Sequence, residues 1–412
     1  MTDPLIPPKR KDPLVVTRAG HVSPTLRSRS ATAMAARAGM GRFVLQVCDD
    51  CAKATYPQRD RCPFCWGTLS WQDQPNGAVI EAETTIRSSI DLFFKEHLPW
   101  RIGSARLDAG PMATVHLHGD VARGDRVRLE LKLDRAGNPA LFAMPERETP
   151  HMADDPQLRV FTAHPKFRRV LVTDGRSEIG QAVAEALLKA GAKTVFLGNA
   201  DPLMRYPGQE QIEAIPGIEP VHLSLTDTRS IETLAGQLGG RVEIVVNTAR
   251  FTRQGGVGFG GHLSNLQSGL DLEVTGLMRL AQGFAPALSA RSDDGDRSAA
   301  ALVDIASIYG LTGKAGYAGS SATAAARLSL MASLRGEMAQ TGIRVMSVLT
   351  GPIEDGWHQN VPPPKTTSAQ IARAVVTALE QGQETICADE VAKDVLARWL
   401  QDPILTIREE NK

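Results

Sequence analysis

Four of the five cysteines in this chain fall as Cys48-x-x-Cys51 and, after ten intervening residues, Cys62-x-x-Cys65. Each C-x-x-C sets two sulfurs on one tight turn, and two such turns facing each other supply the four soft ligands of tetrahedral Zn2+. Pro57 and the run Arg59-Asp60-Arg61 suit an exposed turn between the pairs. Cys62-Pro63-Phe64-Cys65-Trp66-Gly67 then offers a glycine where the chain must reverse and two aromatics for a small core. Four thiolates leave no open coordination position, so the expected zinc is structural. A redox dithiol is the competing chemistry, but it has no use for a second pair. Cys387 stands alone and far off, as a buried apolar side chain would.

Other groups that could do chemistry carry weaker patterns. His116 and His118 share one face of a strand, a spacing sometimes used for metals; with no carboxylate or cysteine at matching spacing, a solvent-facing pair is the simpler expectation. Gly255 to Gly261 is glycine-rich but lacks a following Lys-Ser/Thr, so it is no phosphate loop and is expected to be a flexible surface excursion. No Cys–His arrangement supports thiolytic chemistry, which needs a base beside a low-pKa thiolate.

The elements that must position these residues divide the chain. At 412 residues it exceeds one small core. Basic and acidic residues balance at 46 each, which argues against nucleic acid as a global partner. No apolar run is long enough to span a membrane, and no signal core opens the chain, so a cytoplasmic protein with reduced, metal-bound cysteines is expected. Residues 1–27 are Pro-rich and basic, without periodicity: a flexible tail. Residues 28–75 hold an Ala-rich helix entered from Ser30 and the ribbon, with a linker from Trp71 to Gly77. Through Arg42 the chain carries eight basic and two acidic residues, a solvated surface or a docking arm for an acidic or phosphorylated ligand.

Residues 76–147 read as short strands separated by glycine turns. Over Asp125–Asp134, Val127, Leu129, Leu131 and Leu133 face one way, while Arg126, Arg128, Glu130, Lys132 and Asp134 face the other, the period of a half-buried strand. Several such strands in about 70 residues suggest a small barrel of the OB type. A proline-bounded linker covers 148–166. From 167 to 412 short apolar runs (170–173, 194–197, 221–223, 242–246, 301–305, 344–349) alternate with amphipathic helices (179–188, 266–288, 322–339, 368–379, 391–400), with an acidic loop over Arg291–Arg297. That is an α/β doubly wound parallel sheet.

Thr173 with its glycine turn, Val246-Asn247-Thr248-Ala249, Asp304-Ile305-Ala306-Ser307 and Gly342-Ile343-Arg344-Val345 stand in an order that resembles the short-chain dehydrogenase/reductase family. The resemblance implies a nicotinamide-binding Rossmann fold, a dimer or tetramer through long central helices, and a catalytic Asn, Ser, Tyr and Lys. This chain departs from that pattern. Asp174 and Glu178 replace two loop glycines, leaving Gly180, with Gly175 as a partial substitute in the turn; two carboxylates there add bulk and repel a diphosphate. Ser307 matches the catalytic Ser, but Glu273 stands for Asn, Ser320 for Tyr and Ala324 for Lys. Tyr317 is the one possible rescue, and Ser321, four residues on, supplies no cation. A Tyr without a nearby cation keeps a pKa of about 10 and is a poor base. The implication is a catalytically silent relative that does not bind NAD(P). Trp357 and His358 fall in the family's substrate-lid region.

The segment 28–147, with its basic lead-in, Cys48-Asp49-Asp50-Cys51, Tyr56-Pro57-Gln58-Arg59, Cys62-Pro63-Phe64-Cys65, Trp100-Arg101-Ile102-Gly103 and Leu107-Asp108-Ala109-Gly110-Pro111, resembles bacterial and archaeal proteins that join a rubredoxin-like zinc ribbon to an OB-fold. Such proteins work beside thiolase-superfamily enzymes. The resemblance implies a non-catalytic subunit of a hetero-oligomeric thiolase-type enzyme acting on a β-ketoacyl-CoA. In it, ribbon and barrel dock to the catalytic subunit and assist acyl-CoA binding, and the dehydrogenase-like domain serves assembly, through a self-dimer. Arg42, Arg59, Arg61 and Arg101 are the candidate contacts to coenzyme A at the partner interface. The enzymatic alternative is an NAD(P)-dependent 3-hydroxyacyl-CoA dehydrogenase fused to an acyl-CoA-binding module. A nucleic-acid-binding ribbon is the third and weakest reading, since no stacking platform interleaves aromatic and basic residues.

Overall fold

The computed structural model describes residues 2–7, 28–291 and 299–412. Most of the basic tail and of the acidic loop anticipated near 291–297 therefore lies outside the described residues. Within the tail, residues 2–7 are not free: the Leu5 N–H donates to Asp154 Oδ2 at 3.2 Å.

The first helix, α1 (Arg29–Ala38), is capped by Ser28 rather than entered from Ser30; the Ser28 hydroxyl accepts the Ala31 N–H at 3.0 Å. It buries Met34 and Ala38 against the barrel core. Three antiparallel strands form the ribbon sheet: β1 (Val44–Cys48), β2 (Ala54–Thr55) and β3 (Leu69–Asp73), in the order β2-β1-β3. Trp71 thus belongs to a strand, not to a linker, and the Arg37 guanidinium lies 5.3 Å over its ring.

A closed five-stranded barrel follows, built from β4 (Gly77–Ile86), β5 (Trp100–Leu107), β6 (Met112–Leu117), β7 (Arg126–Leu133) and β8 (Pro139–Pro145), with the short helix α2 (Leu92–Glu96) between the first two. The barrel order is β4-β5-β6-β8-β7. Val127, Leu129, Leu131 and Leu133 point into its core as their period-two spacing predicts. Lys132 departs from that pattern, being 4% exposed although it alternates with the inward set. The second domain covers it there, so its ammonium donates to the Gln381 carbonyl at 3.3 Å and pairs with Glu130 at 2.9 Å.

The segment 148–166 is structured rather than a plain linker. It holds a 3-10 turn (Met152–Asp154) and α3 (Pro156–Val160), and it delivers Phe161 into an aromatic cluster with Trp100 and Phe142. Neither His116 nor His118 faces solvent. His116 Nδ1 accepts the Trp100 indole N–H at 3.0 Å, and burial lowers its pKa to about 4. His118 is fully buried with Nε2 2.9 Å from the Met152 carbonyl.

The second domain runs β9 (Arg169–Val172), α4 (Glu178–Lys189), β10 (Thr194–Asn199), α5 (Gln209–Glu213), β11 (Ile218–His222), α6 (Thr228–Leu238), β12 (Ile244–Asn247), α7 (Leu263–Gly269), α8 (Gly276–Ala290), β13 (Ala301–Ser307), α9 (Ala318–Met338), β14 (Arg344–Thr350), α10 (Ser368–Gln381), β15 (Thr385–Cys387), α11 (Glu390–Gln401) and α12 (Pro403–Glu410). Its seven parallel strands lie in the order β11-β10-β9-β12-β13-β14-β15, with apolar clusters on both faces as doubly wound sheets require. The helix expected over 266–288 is broken by a π-helical stretch, Leu270–Thr275. Both β15 and α12 escape sequence reading, because each is shorter than the periodicity needed to detect it. Cys387 sits on β15, partly exposed, with burial pushing its thiol up to about 12.

The two halves meet at the N-terminal edge of this sheet. Arg344, which opens β14, donates to the Leu133 carbonyl at 2.8 Å, and the Gly39 carbonyl accepts the N–H groups of Glu384 and Thr385 at 2.8 and 3.0 Å. Ligands of open parallel sheets sit beyond the carboxyl ends of the strands. Ribbon and barrel therefore lie across the sheet from that edge.

Candidate functional site

At the carboxyl edge, Ser307 ends β13, and α9 begins with Tyr317 as its N-cap residue and carries Ser320 and Ala324 in its first turns. All four line one pocket together with Glu273 and Arg327. Glu273 lies in the π-helical stretch and is buried, accepting the Phe251 N–H at 2.8 Å and the Thr323 hydroxyl. Helix α9 places Arg327 one turn beyond Ala324. Its guanidinium forks onto Asp304 (Nη2 to Oδ1 2.6 Å, Nε to Oδ2 3.1 Å), donates to the Ile305 carbonyl at 2.8 Å, and reaches Glu273 at 3.5 Å. Arg327 is 2% exposed, so this is a fully desolvated charge network spanning the floor of the pocket.

Tyr317 is engaged on both sides of its hydroxyl. Its hydroxyl donates to the Trp357 carbonyl at 2.9 Å and takes a hydrogen bond from Gln254 at 3.1 Å. Burial raises its pKa, and the nearby ammonium of Lys314 is committed to Glu410 of α12 at 3.2 Å. Its ring stacks on His358 at 5.2 Å, and His358 Nδ1 is held by Asp355 at 2.7 Å. The lid segment is latched: the Arg253 guanidinium lies 3.8 Å from the Trp357 ring and 4.2 Å from that of Phe251. The glycine run is a surface excursion, with Val257 and Phe259 exposed, but its start is tied to the same place: the Gly255 N–H donates to the Gly316 carbonyl at 2.7 Å and its carbonyl accepts from Ala318 at 3.0 Å. What remains between these side chains is a cavity of about 30 Å³.

In the ribbon the four thiols converge. Their sulfurs all lie within 4.8 Å of one another, with Cys48 to Cys65 at 3.4 Å and Cys51 to Cys62 at 3.7 Å. Zn–S bonds of ~2.3 Å in a tetrahedron put sulfurs about 3.8 Å apart, so the donor set fits zinc. Chain reversal at the second knuckle is made by Trp66, at φ +65°, not by Gly67. Gly67 is needed for close approach, because a Cβ there would stand 2.1 Å from Asp50 Oδ2 and 3.0 Å from Cys48 Sγ. Phe64 and Trp66 do not enter a core; they are 60% and 79% exposed.

Residues 168–365 match the short chain dehydrogenase family, and residues 36–70 match the ChsH2 rubredoxin-like zinc ribbon domain. The chain joins a ChsH2-type zinc ribbon to a short-chain dehydrogenase domain. An uncharacterized oxidoreductase of Staphylococcus aureus is 28% identical over 220 residues, covering 51% of this chain and 90% of its own length. Another, from Myxococcus xanthus, is 28% identical over 198 residues, covering 46% of this chain and 73% of its own. Among solved structures, a short chain dehydrogenase of Burkholderia cenocepacia in complex with NADP superposes with a TM-score of 0.53 at 24% identity, covering 60% of this chain and 99% of that one. A short-chain dehydrogenase of Streptomyces avermitilis gives 0.50 at 25% identity, covering 59% and 96%.

The dinucleotide loop of this dehydrogenase domain does not fit a diphosphate. Gly180 keeps the tight turn, since a Cβ there would lie 1.8 Å from the Asp174 carbonyl oxygen. Ser177, however, caps α4 by accepting the Gly180 N–H at 3.0 Å, which occupies a donor an anion would use. Glu178 opens the helix with an exposed carboxylate, and Asp174 is half-buried beside it, its carboxyl pushed up by burial. Gly175 serves packing instead of phosphate approach, its α-carbon facing Leu197.

Two of the four arginines proposed as coenzyme A contacts are already engaged. Arg42 pairs with Asp73 at 2.7 Å. Arg101 pairs with Glu83 at 2.7 Å and also donates to the carbonyls of His118, Gly119 and Val121, stapling the barrel. Arg59 and Arg61 stay exposed on the ribbon, Arg61 donating weakly to Thr68 at 3.4 Å. Sequence reasoning missed Asp304, Arg327 and Arg250 as site residues. The available signal was a Glu at a buried helix position, since a buried carboxylate must find a cation, here one turn past the vacant Lys position.

Proposed function

We propose that this protein is the accessory, non-catalytic subunit of a hetero-oligomeric thiolase-type enzyme acting on a β-ketoacyl-CoA. The observation that carries this reading is the dehydrogenase pocket, where Glu273, Ser320 and Ala324 occupy the reacting positions and the Arg327 network fills the floor. The Arg327 network narrows the space left to solvent in this pocket to about 30 Å³. The four-cysteine ribbon contributes no nucleophile, because all its thiolates serve the zinc. Chemistry on a thioester must then come from a second polypeptide that supplies its own cysteine and base.

The ribbon offers the surface for that partner. Exposed Phe64 and Trp66 on the second knuckle, flanked by Arg59 and Arg61, have the composition of a docking patch: aromatic anchors with arginines able to fork onto coenzyme A phosphates. The barrel's β4-β5-β6-β8-β7 order supports its reading as an OB-fold. In this scheme the dehydrogenase domain pairs with a second copy through its long helices and brackets the assembly.

The test is co-expression with a thiolase-superfamily subunit, followed by size-exclusion chromatography and thiolysis assays with and without this chain. A stable complex with raised thiolytic activity is expected, while the purified chain alone shows no saturable micromolar binding of NADH or NADPH. Turnover of a 3-hydroxyacyl-CoA by the isolated chain with either nucleotide overturns the reading in favour of a fused dehydrogenase.

A further inference from the structure

Arg250 follows Val246-Asn247-Thr248-Ala249 at the carboxyl end of β12 and projects into the remaining cavity. Among the described residues its guanidinium makes a single hydrogen bond, from Nη1 to the Thr350 hydroxyl at 3.2 Å, and no ion pair. The two other cations on the pocket wall are matched: Arg327 by Asp304 and Glu273, Lys314 by Glu410. Asp355 is nearby, but its Oδ1 already accepts the Trp357 and His358 backbone N–H groups and His358 Nδ1. Arg250 is thus a half-buried cation, its pKa lowered by burial against the opposing pull of Glu273, whose Nε and Nη2 donate no hydrogen bond within the described residues. A guanidinium partly withdrawn from water with one edge unpaired gains from meeting an anion.

Besides the Glu273 carboxylate, which is held by the Arg327 network, the cavity wall offers two hydroxyl donors. Ser307 Oγ accepts the Tyr309 N–H at 3.3 Å, and Ser320 Oγ accepts the Arg253 N–H at 3.3 Å. Neither hydroxyl proton is donated to another described residue, so both are available to the cavity. The free Nε/Nη2 edge has the spacing that grips two oxygens side by side. The cavity of about 30 Å³ between Arg250 and the two serines is where a small carboxylate group would sit.

We propose that the silent nicotinamide pocket is a carboxylate site, in which Arg250 forks onto the two oxygens of a small monocarboxylate, or of the carboxylate end of a larger ligand, and Ser307 and Ser320 donate to the same group. The lid latched by Arg253 and Trp357 closes over it. The assignment is independent of any thiolase partner, and its test requires none.

The full zinc-bound chain is titrated with sodium acetate and sodium formate at constant ionic strength, with chloride as counter-titrant. Thermal shift and broadening of the carbon-13 acetate signal are read on the wild type, Arg250→Met, Arg250→Lys and the double variant Ser307→Ala/Ser320→Ala. Saturable acetate or formate binding is expected. It should weaken at least tenfold in Arg250→Met and in the serine double variant, and measurably in Arg250→Lys, which keeps the charge but loses the fork. A linear response shared with chloride overturns the proposal, as does unchanged affinity in Arg250→Met. If Arg250→Met fails to fold, unchanged affinity in both Arg250→Lys and the serine double variant overturns it.

Discussion

Replacing Arg327 by Met removes one cation and strands two buried carboxylates. Arg327 is 2% exposed and makes the contacts to Asp304, Glu273 and the Ile305 carbonyl described above. Breaking a buried pair by deleting one partner costs about 3–5 kcal/mol, because the remaining charge is left without compensation. Met fills much of the apolar stem's volume, so the loss comes from the charge rather than from a cavity. For a domain of this size, each kcal/mol lowers the melting temperature by roughly 2–4 °C, giving a drop on the order of 10 °C. The assay is urea and thermal unfolding of Arg327→Met followed by circular dichroism. The triple variant Arg327→Met/Asp304→Asn/Glu273→Gln is unfolded alongside it. If the network is a compensated set, the triple variant recovers much of the loss, since removing all the charges is cheaper than stranding two. A single variant costing under about 1 kcal/mol, or a triple variant less stable than the single one, refutes the account of the pocket as a charge-filled floor.

Three other outcomes follow. One zinc per chain should be measured by elemental analysis, lost in Cys62→Ser and on strong chelation but retained in Cys387→Ser, whose thiol lies on the far sheet edge. His116 is held neutral as the acceptor for Trp100, with its pKa lowered to about 4. Because the unfolded chain takes up this proton near pH 6.5 and the folded chain only near pH 4, the contribution is full above the unfolded value. It is lost as pH falls through that window, by roughly 3 kcal/mol at about 1.36 kcal/mol per unit. Stability of the barrel against pH, followed by Trp fluorescence, should show that slope in the wild type and a flatter one in His116→Asn. Finally, Phe64→Ala and Trp66→Ala, both at exposed positions, should change stability by less than about 0.5 kcal/mol. Loss of a docking anchor would weaken partner binding by about 2 kcal/mol, measurable by calorimetry with the thiolase-type subunit. Unchanged binding removes the knuckle from the interface.

Much of the architecture was legible locally. Two C-x-x-C turns can present four sulfurs in few other ways, and their convergence follows from spacing alone. The alternation from Val127 to Leu133 announced a strand with one buried face, and the short apolar runs between amphipathic helices announced a parallel sheet. The residues that line the pocket at the family's reacting positions, Glu273, Ser307, Ser320 and Ala324, were also readable, because a motif's register is a property of the chain. Phe64 and Trp66 were misread because an aromatic residue near a small core is ordinarily part of it, and exposure depends on what else packs there. Lys132 and the segment 148–166 were misread for a related reason, since Lys132 is covered by the second domain and the segment packs on the barrel, contacts between residues distant in the chain.

By itself the sequence determined which residue types stand at the family's reacting positions and which four sulfurs could hold a zinc, since both depend on residue types at set intervals along the backbone. Only the tertiary structure decided what surrounds those positions. Asp304, Glu273 and Arg327 come from a strand, a π-helical stretch and a helix that meet at one sheet edge, and their charges cancel only at distances that folding sets. The opposed placement of ribbon and pocket has the same origin: which edge of the sheet the barrel covers is settled by packing across residues more than two hundred positions apart, such as Leu133 and Arg344.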